Sequence, residues 1–201
     1  MKTLDLFVVE LEKKINDTIK TDGGLEIYID TRFEMGEFNN RITEGPVVCS
    51  PIKHDTGVKE GDTLYFHHHV VINNGQPLTG QENHYIVNYD PDYTHGCQAI
   101  AYKCQDTDEV HPLGGWALLE SFDESEDFVS DVIEVIELNT KLPRKGRVSF
   151  DAPWLEDLGV KKGDVVGFVK NADYRIMIDG KEYYRTRKED LLYVEEEVYN
   201  D

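Results

Sequence analysis

Apolar runs in this chain are short and are separated by polar stretches marked with glycine. The first run, LFVVEL at 6–11, is β-branched and aromatic and predicts a strand. A polar stretch then leads to Gly23-Gly24, followed by the alternation LEIYI at 25–29, which is too short for a stable hairpin by itself. Residues 30–44 are polar and glycine-containing. The whole of 13–44 therefore reads as a long connection around a small apolar island, and connections of that length inside compact domains are usually functional or disordered. Further strands are predicted at 46–49, 63–66, 84–87 and 98–102, with Asn73-Asn74-Gly75 as a hairpin turn. Residues 103–115 are polar and end in Gly114-Gly115.

The order then recurs. WALL at 116–119 predicts a strand, and an acidic connection with the apolar island VIEVIEL at 132–138 follows. That island is short enough to be read as strand or helix. The sheet restarts at 145–150. Strands are predicted at 165–168, at 175–178 up to the Asp179-Gly180 turn, at 182–184 and at 191–194. Glu189-Asp190 ahead of Leu191 suggests one helical turn. The recurrence is also literal: VKEGDTLYF at 58–66 returns as VKKGDVVGF at 160–168, at an offset of 102 residues. Such a duplication predicts two copies of one small fold in series. Many short strands with glycine turns and little helical periodicity place both copies in the all-β class, as small barrels or sandwiches. The predicted division is a first domain at 1–104, a linker at 105–114 and a second domain at 115–201, with long loops at about 13–44 and 122–145.

Composition narrows the function. The net charge of −19 over 201 residues opposes binding to nucleic-acid phosphates. Three cysteines, Cys49, Cys97 and Cys104, are too few and too irregular for a disulfide framework and suit a reducing cytoplasm. The amino-terminal run carries acids and is no signal peptide, and no stretch approaches the length of a membrane span. His67-His68-His69 invites a metal reading, but strand alternation would leave at most His67 and His69 on one face. There is no Cys-x-x-Cys or His-Glu-x-x-His pattern, and no metal site is expected. The chain also has no nucleophile-elbow motif and no Walker-type phosphate loop, so no enzyme and no cofactor is expected.

The run 163–194 resembles the carboxy-terminal half of GroES-type co-chaperonins. The likeness rests on the Gly163-Asp164 turn into an apolar strand, the Asp179-Gly180 hairpin, Glu182-Tyr183-Tyr184, and Glu189-Asp190-Leu191-Leu192 leading into the last strand. The first copy is similar through Gly61-Asp62, Tyr65-Phe66 and His84-Tyr85-Ile86-Val87. The resemblance implies two tandem GroES-like small β-barrels, each with a long mobile loop. The short steps from Val48 to Gly61 and from Val148 to Gly163 imply little or no roof hairpin, a trait similar to some bacteriophage co-chaperonins. Tandem domains in one chain resemble the chloroplast form.

The same resemblance implies docking on a GroEL-type chaperonin. The anchors would be Gly23, Gly24, Leu25, Ile27 and Ile29 in the first loop, where Glu26 replaces an apolar middle position. Val132, Ile133, Val135 and Ile136 are the counterparts in the second loop. It implies self-assembly into a ring, with Leu6, Val8 and Leu11 of the first strand pairing with Leu191, Leu192 and Val194 of a neighbouring chain. Within one chain, 98–102 would pair with 116–119. ATP would be used by the chaperonin, and the client would be a folding protein, with the bacteriophage likeness pointing to a capsid protein. No nucleic acid and no membrane is implied. The first rival reading is a two-domain β protein serving as a viral structural or adaptor piece, with 13–44 as an assembly arm, and the second is a metal-dependent enzyme built around the histidines.

Overall fold

The duplicated sequence folds into a duplicated turn. Gly61 and Gly163 take φ of 92° and 99°, a region that suits glycine because it lacks a Cβ. The aspartate that follows ties the turn down: Asp62 Oδ2 accepts the Lys59 N–H at 2.8 Å, and Asp164 Oδ2 accepts the Lys161 N–H at 2.8 Å. Both turns clip onto the preceding strand in the same way. The Val47 N–H donates to the Asp62 carbonyl and the Gly61 N–H to the Val47 carbonyl, at 2.8 and 2.9 Å. Val148, Asp164 and Gly163 repeat the pair at 2.9 and 2.8 Å.

The structure, a computed structural model, describes residues 2–15, 18–21, 23–28, 41–71, 78, 80–81, 83–92, 96–121, 145–170, 172 and 174–195. The chain divides into Met1–Gly114 and Gly115–Asp201. The first unit carries β1 (Leu6–Glu10), β2 (Thr18–Lys20), β3 (Glu26–Tyr28), β4 (Glu44–Cys49), β5 (Thr63–Phe66), β6 (His84–Asn88), β7 (Ala99–Lys103) and β8 (Val110–Pro112). Its six-stranded sheet runs β6-β1-β4-β5-β7-β8, with β2 and β3 paired separately. The second unit carries β9 (Trp116–Ser121), β10 (Lys145–Val148), one helical turn α1 (Pro153–Glu156), β11 (Val165–Phe168), β12 (Tyr174–Ile178), β13 (Lys181–Arg187) and β14 (Leu191–Val194). Its sheet runs β12-β13-β9-β10-β11-β14. The all-β, two-domain class read from the sequence is what the chain adopts, with all named pairings antiparallel. Among the described residues each sheet keeps two end strands and does not close into a barrel. No hairpin lies between β4 and β5 or between β10 and β11, where a roof would stand.

Each unit has its own core. Phe7, Val9, Val47, Leu64 and Phe66 meet Val87 in the first. Leu119, Val148, Val166 and Phe168 meet Leu155 and Tyr184 in the second. In β1 the alternation sends Phe7 and Val9 into this cluster, while Val8 on the other face is also buried, so the strand is covered on both faces. Burial of this kind is the main driving force holding the two sheets.

Three sequence expectations are corrected. Residues 105–114 are no free linker: β8 adds a strand to the edge of β7, with Ala101 opposite Pro112 and Lys103 opposite Val110. The first strand is not an open edge. Both its sides are paired, to β4 and to β6, and Val8 and Leu11 are buried while Leu6 is half-buried, so 6–11 has no edge to offer another chain. The strands expected to pair with each other at 98–102 and 116–119 each have both sides filled within their own unit, β7 by β5 and β8, and β9 by β13 and β10. Among the described residues no helix is long and apolar enough to cross a membrane.

Candidate functional site: an apolar tip on the β2–β3 hairpin

The connection from β1 to β4 leaves the first sheet through a closed neck. Ile15 and Arg41 form an antiparallel bridge, and the Ile42 N–H donates to the Lys14 carbonyl at 2.9 Å. Ile42 packs on the core just inside this neck. Beyond it, β2 and β3 pair with Thr18 opposite Tyr28, Ile19 opposite Ile27 and Lys20 opposite Glu26.

The glycine pair and Thr21 build the turn. Gly24 has φ of 77° and its N–H donates to the Thr21 carbonyl at 2.8 Å. The Thr21 N–H donates to the Leu25 carbonyl at 2.9 Å, and the Leu25 N–H reaches the Thr21 hydroxyl at 3.2 Å. Thr21 is the residue of this site that the sequence did not single out. Its signal was a hydroxyl two positions ahead of the glycine pair, where such side chains compete for backbone N–H groups.

Leu25, Ile27 and Tyr28 are 65%, 47% and 78% exposed. The two-residue period of a strand sets Leu25 and Ile27 on one side and Glu26 and Tyr28 on the other. A glutamate between two aliphatic residues therefore does not interrupt the apolar side; it faces away from it. Gly23, Gly24, Leu25 and Ile27 are thus brought together at one tip. Ile29 lies outside the described residues, as do Val132, Ile133, Val135 and Ile136. At the other end of the chain, Leu192, Tyr193 and Val194 of β14 are 60%, 48% and 43% exposed. Leu191 of the same strand is half-buried against the second core.

Taken together, these features define an all-β, two-unit protein that presents short apolar contacts on a hairpin set off from its core. No family model matches the chain. Over 93 residues it is 31% identical to the Co-chaperonin GroES of Coprothermobacter proteolyticus, a match covering 43% of this chain and 94% of that protein. The chain belongs to the GroES co-chaperonin family.

Proposed function

We propose that this protein is a tandem-domain co-chaperonin that caps a GroEL-type chaperonin ring and encloses a folding client, with ATP hydrolysed by the chaperonin. The observation that carries this reading is the tip of the β2–β3 hairpin, where Leu25 and Ile27 stand exposed on a turn fixed by Gly24 and Thr21. Burying either aliphatic side chain supplies about 1.5–3 kcal/mol before the cost of ordering the loop. A hairpin already paired reduces that cost, because less chain has to be ordered on docking. Such contacts are weak singly and strong when displayed many times on one ring, which leaves them open to switching by the partner.

The proposal includes self-assembly. Among the described residues β14 pairs only β11, and Leu192, Tyr193 and Val194 along it are exposed, so a further strand from a second chain would cover an edge that otherwise invites aggregation. Leu192 and Val194 belong to this seal. In the second loop, Val132, Ile133, Val135 and Ile136 form the corresponding anchor. The protein would work in the cytoplasm, that of a host cell if it is encoded by a bacteriophage, where a capsid protein is the client.

Size-exclusion chromatography with light scattering on the chain mixed with a GroEL-type chaperonin tests this reading. Nucleotide-dependent co-elution is expected, and Leu25→Ser with Ile27→Ser should abolish it. A chain that never co-elutes, with nucleotide or without, overturns the proposal.

A further inference from the structure

The three consecutive histidines do not sit in a strand. β5 ends at Phe66, and 68–71 wind into a 3-10 turn, so the alternation that would separate neighbouring side chains is gone. The imidazole centroids lie 4.2, 4.3 and 4.3 Å apart in the three pairs, and one ligating atom from each ring falls within 4.8 Å of the others. His67 and His68 are half-buried. The turn beneath them is anchored: the Val70 N–H donates to the His67 carbonyl at 2.9 Å, the His67 N–H donates to the Gln98 carbonyl at 2.8 Å, and Val70 and Val71 are buried in the first core.

The second unit makes the same turn without histidine. Ala172 N–H donates to the Val169 carbonyl at 3.3 Å, the Val169 N–H donates to the Asp190 carbonyl at 2.9 Å, and Ala172 is buried where Val70 is. Val169, Lys170 and Asn171 stand in the places of His67, His68 and His69. The backbone therefore does not need the histidines, and three of the seven in the chain are gathered at one point of one unit.

We propose that His67, His68 and His69 form a binding site for a divalent transition metal of the zinc and nickel class. Imidazole nitrogen suits these borderline ions, whereas calcium and magnesium take oxygen. A tetrahedral ion with metal–nitrogen bonds of roughly 2.0–2.1 Å needs its nitrogens about 3.3 Å apart, so modest ring rotations close the set. Three ligands leave a fourth position for water or an outside group. The bond from the His69 N–H to His67 Nδ1, at 3.2 Å, is one interaction a metal must displace if it takes that nitrogen. Three neutral imidazoles leave the ion's positive charge uncompensated, and the chain's net charge of −19 supplies a favourable field for it.

The test is titration of the full chain with Zn²⁺, and separately Ni²⁺, against a chromophoric chelator. The control is built from the second copy: His67→Val, His68→Lys and His69→Asn together. Wild type should bind one equivalent per chain, and the triple variant should bind at least about tenfold more weakly with an unchanged circular dichroism spectrum. If the triple variant loses its spectrum, His68→Ala alone is read by the same criterion. Equal affinity in a folded variant assigns binding to the surface carboxylates and overturns the proposal. X-ray absorption of the Zn²⁺-loaded wild type should show imidazole scattering, and an oxygen-only shell overturns it equally.

Discussion

The two units share a five-strand frame and differ at its rims. Strands β6-β1-β4-β5-β7 of the first correspond in order to β13-β9-β10-β11-β14 of the second. The first adds β8 beside β7, while the second adds β12 beside β13. The frame is where the sequence repeats and where the Gly-Asp turn locks neighbouring strands. The copies have diverged at the rims, with a covered edge against an open one, and in the turn after β5 and β11, with histidines against Val169 and Lys170. What is repeated is the frame that carries each unit's core.

Phe66→Ala against Phe168→Ala is the strongest way to break this comparison. The rings are fully buried and 2% exposed at equivalent positions. Each truncation should cost about 3–5 kcal/mol of stability in chemical denaturation, and a near-neutral result at either site would remove the equivalence of the frames. Asp62→Ala against Asp164→Ala sharpens it. Asp62 is buried and accepts a second backbone bond, from the Gln105 N–H at 2.9 Å, whereas Asp164 is half-buried. The first change should cost about 1.5–3 kcal/mol and the second less, and the reverse ranking would show that the turn is held by something other than its carboxylate.

At the rims, Leu192→Lys with Val194→Lys should lower the assembled mass in light scattering while leaving the denaturation midpoint almost unchanged. An unchanged mass in a chain that assembles would take β14 out of the subunit seal. The smallest effect concerns Glu120, whose carboxyl is held below the usual range, chiefly by a hydrogen bond from Lys181 at 2.6 Å. A lowered carboxyl stabilises the fold above its unfolded pKa, and that contribution is lost as pH falls through the lowered folded value. Glu120→Gln should flatten the acid side of the stability–pH curve slightly, because the Lys181 and Glu120 side chains are 56% and 40% exposed and solvent screens the pair. A change on the alkaline side alone would contradict the assignment.

Most strands were legible because their apolar runs are β-branched and bounded by glycine, and the repeat announced the shared frame. The unread elements have physical reasons. β8 is three residues long, ends in proline and sits in polar surroundings, so neither propensity nor period marked it. α1 is a single turn, below the length at which a helical period can be seen. The place of β1 between β4 and β6 depends on pairing with residues far along the chain, which one sequence does not encode locally. At the site, the glycine pair and its aliphatic neighbours were readable. The neck at Ile15 and Arg41 was not, since it joins two polar stretches. The three histidines were noticed, but their convergence was not legible, because Phe66 to His69 looks like one continuous strand until Val70 turns back to His67.

That neck has a consequence for how such a protein can change. Where the β1–β4 connection leaves the first unit, the Ile15–Arg41 bridge and the bond from the Ile42 N–H to the Lys14 carbonyl hold its two ends together. Closing a loop twice as long costs only about 0.6 kcal/mol more. Length can therefore be added past the neck to follow a new partner at little cost in closing the loop.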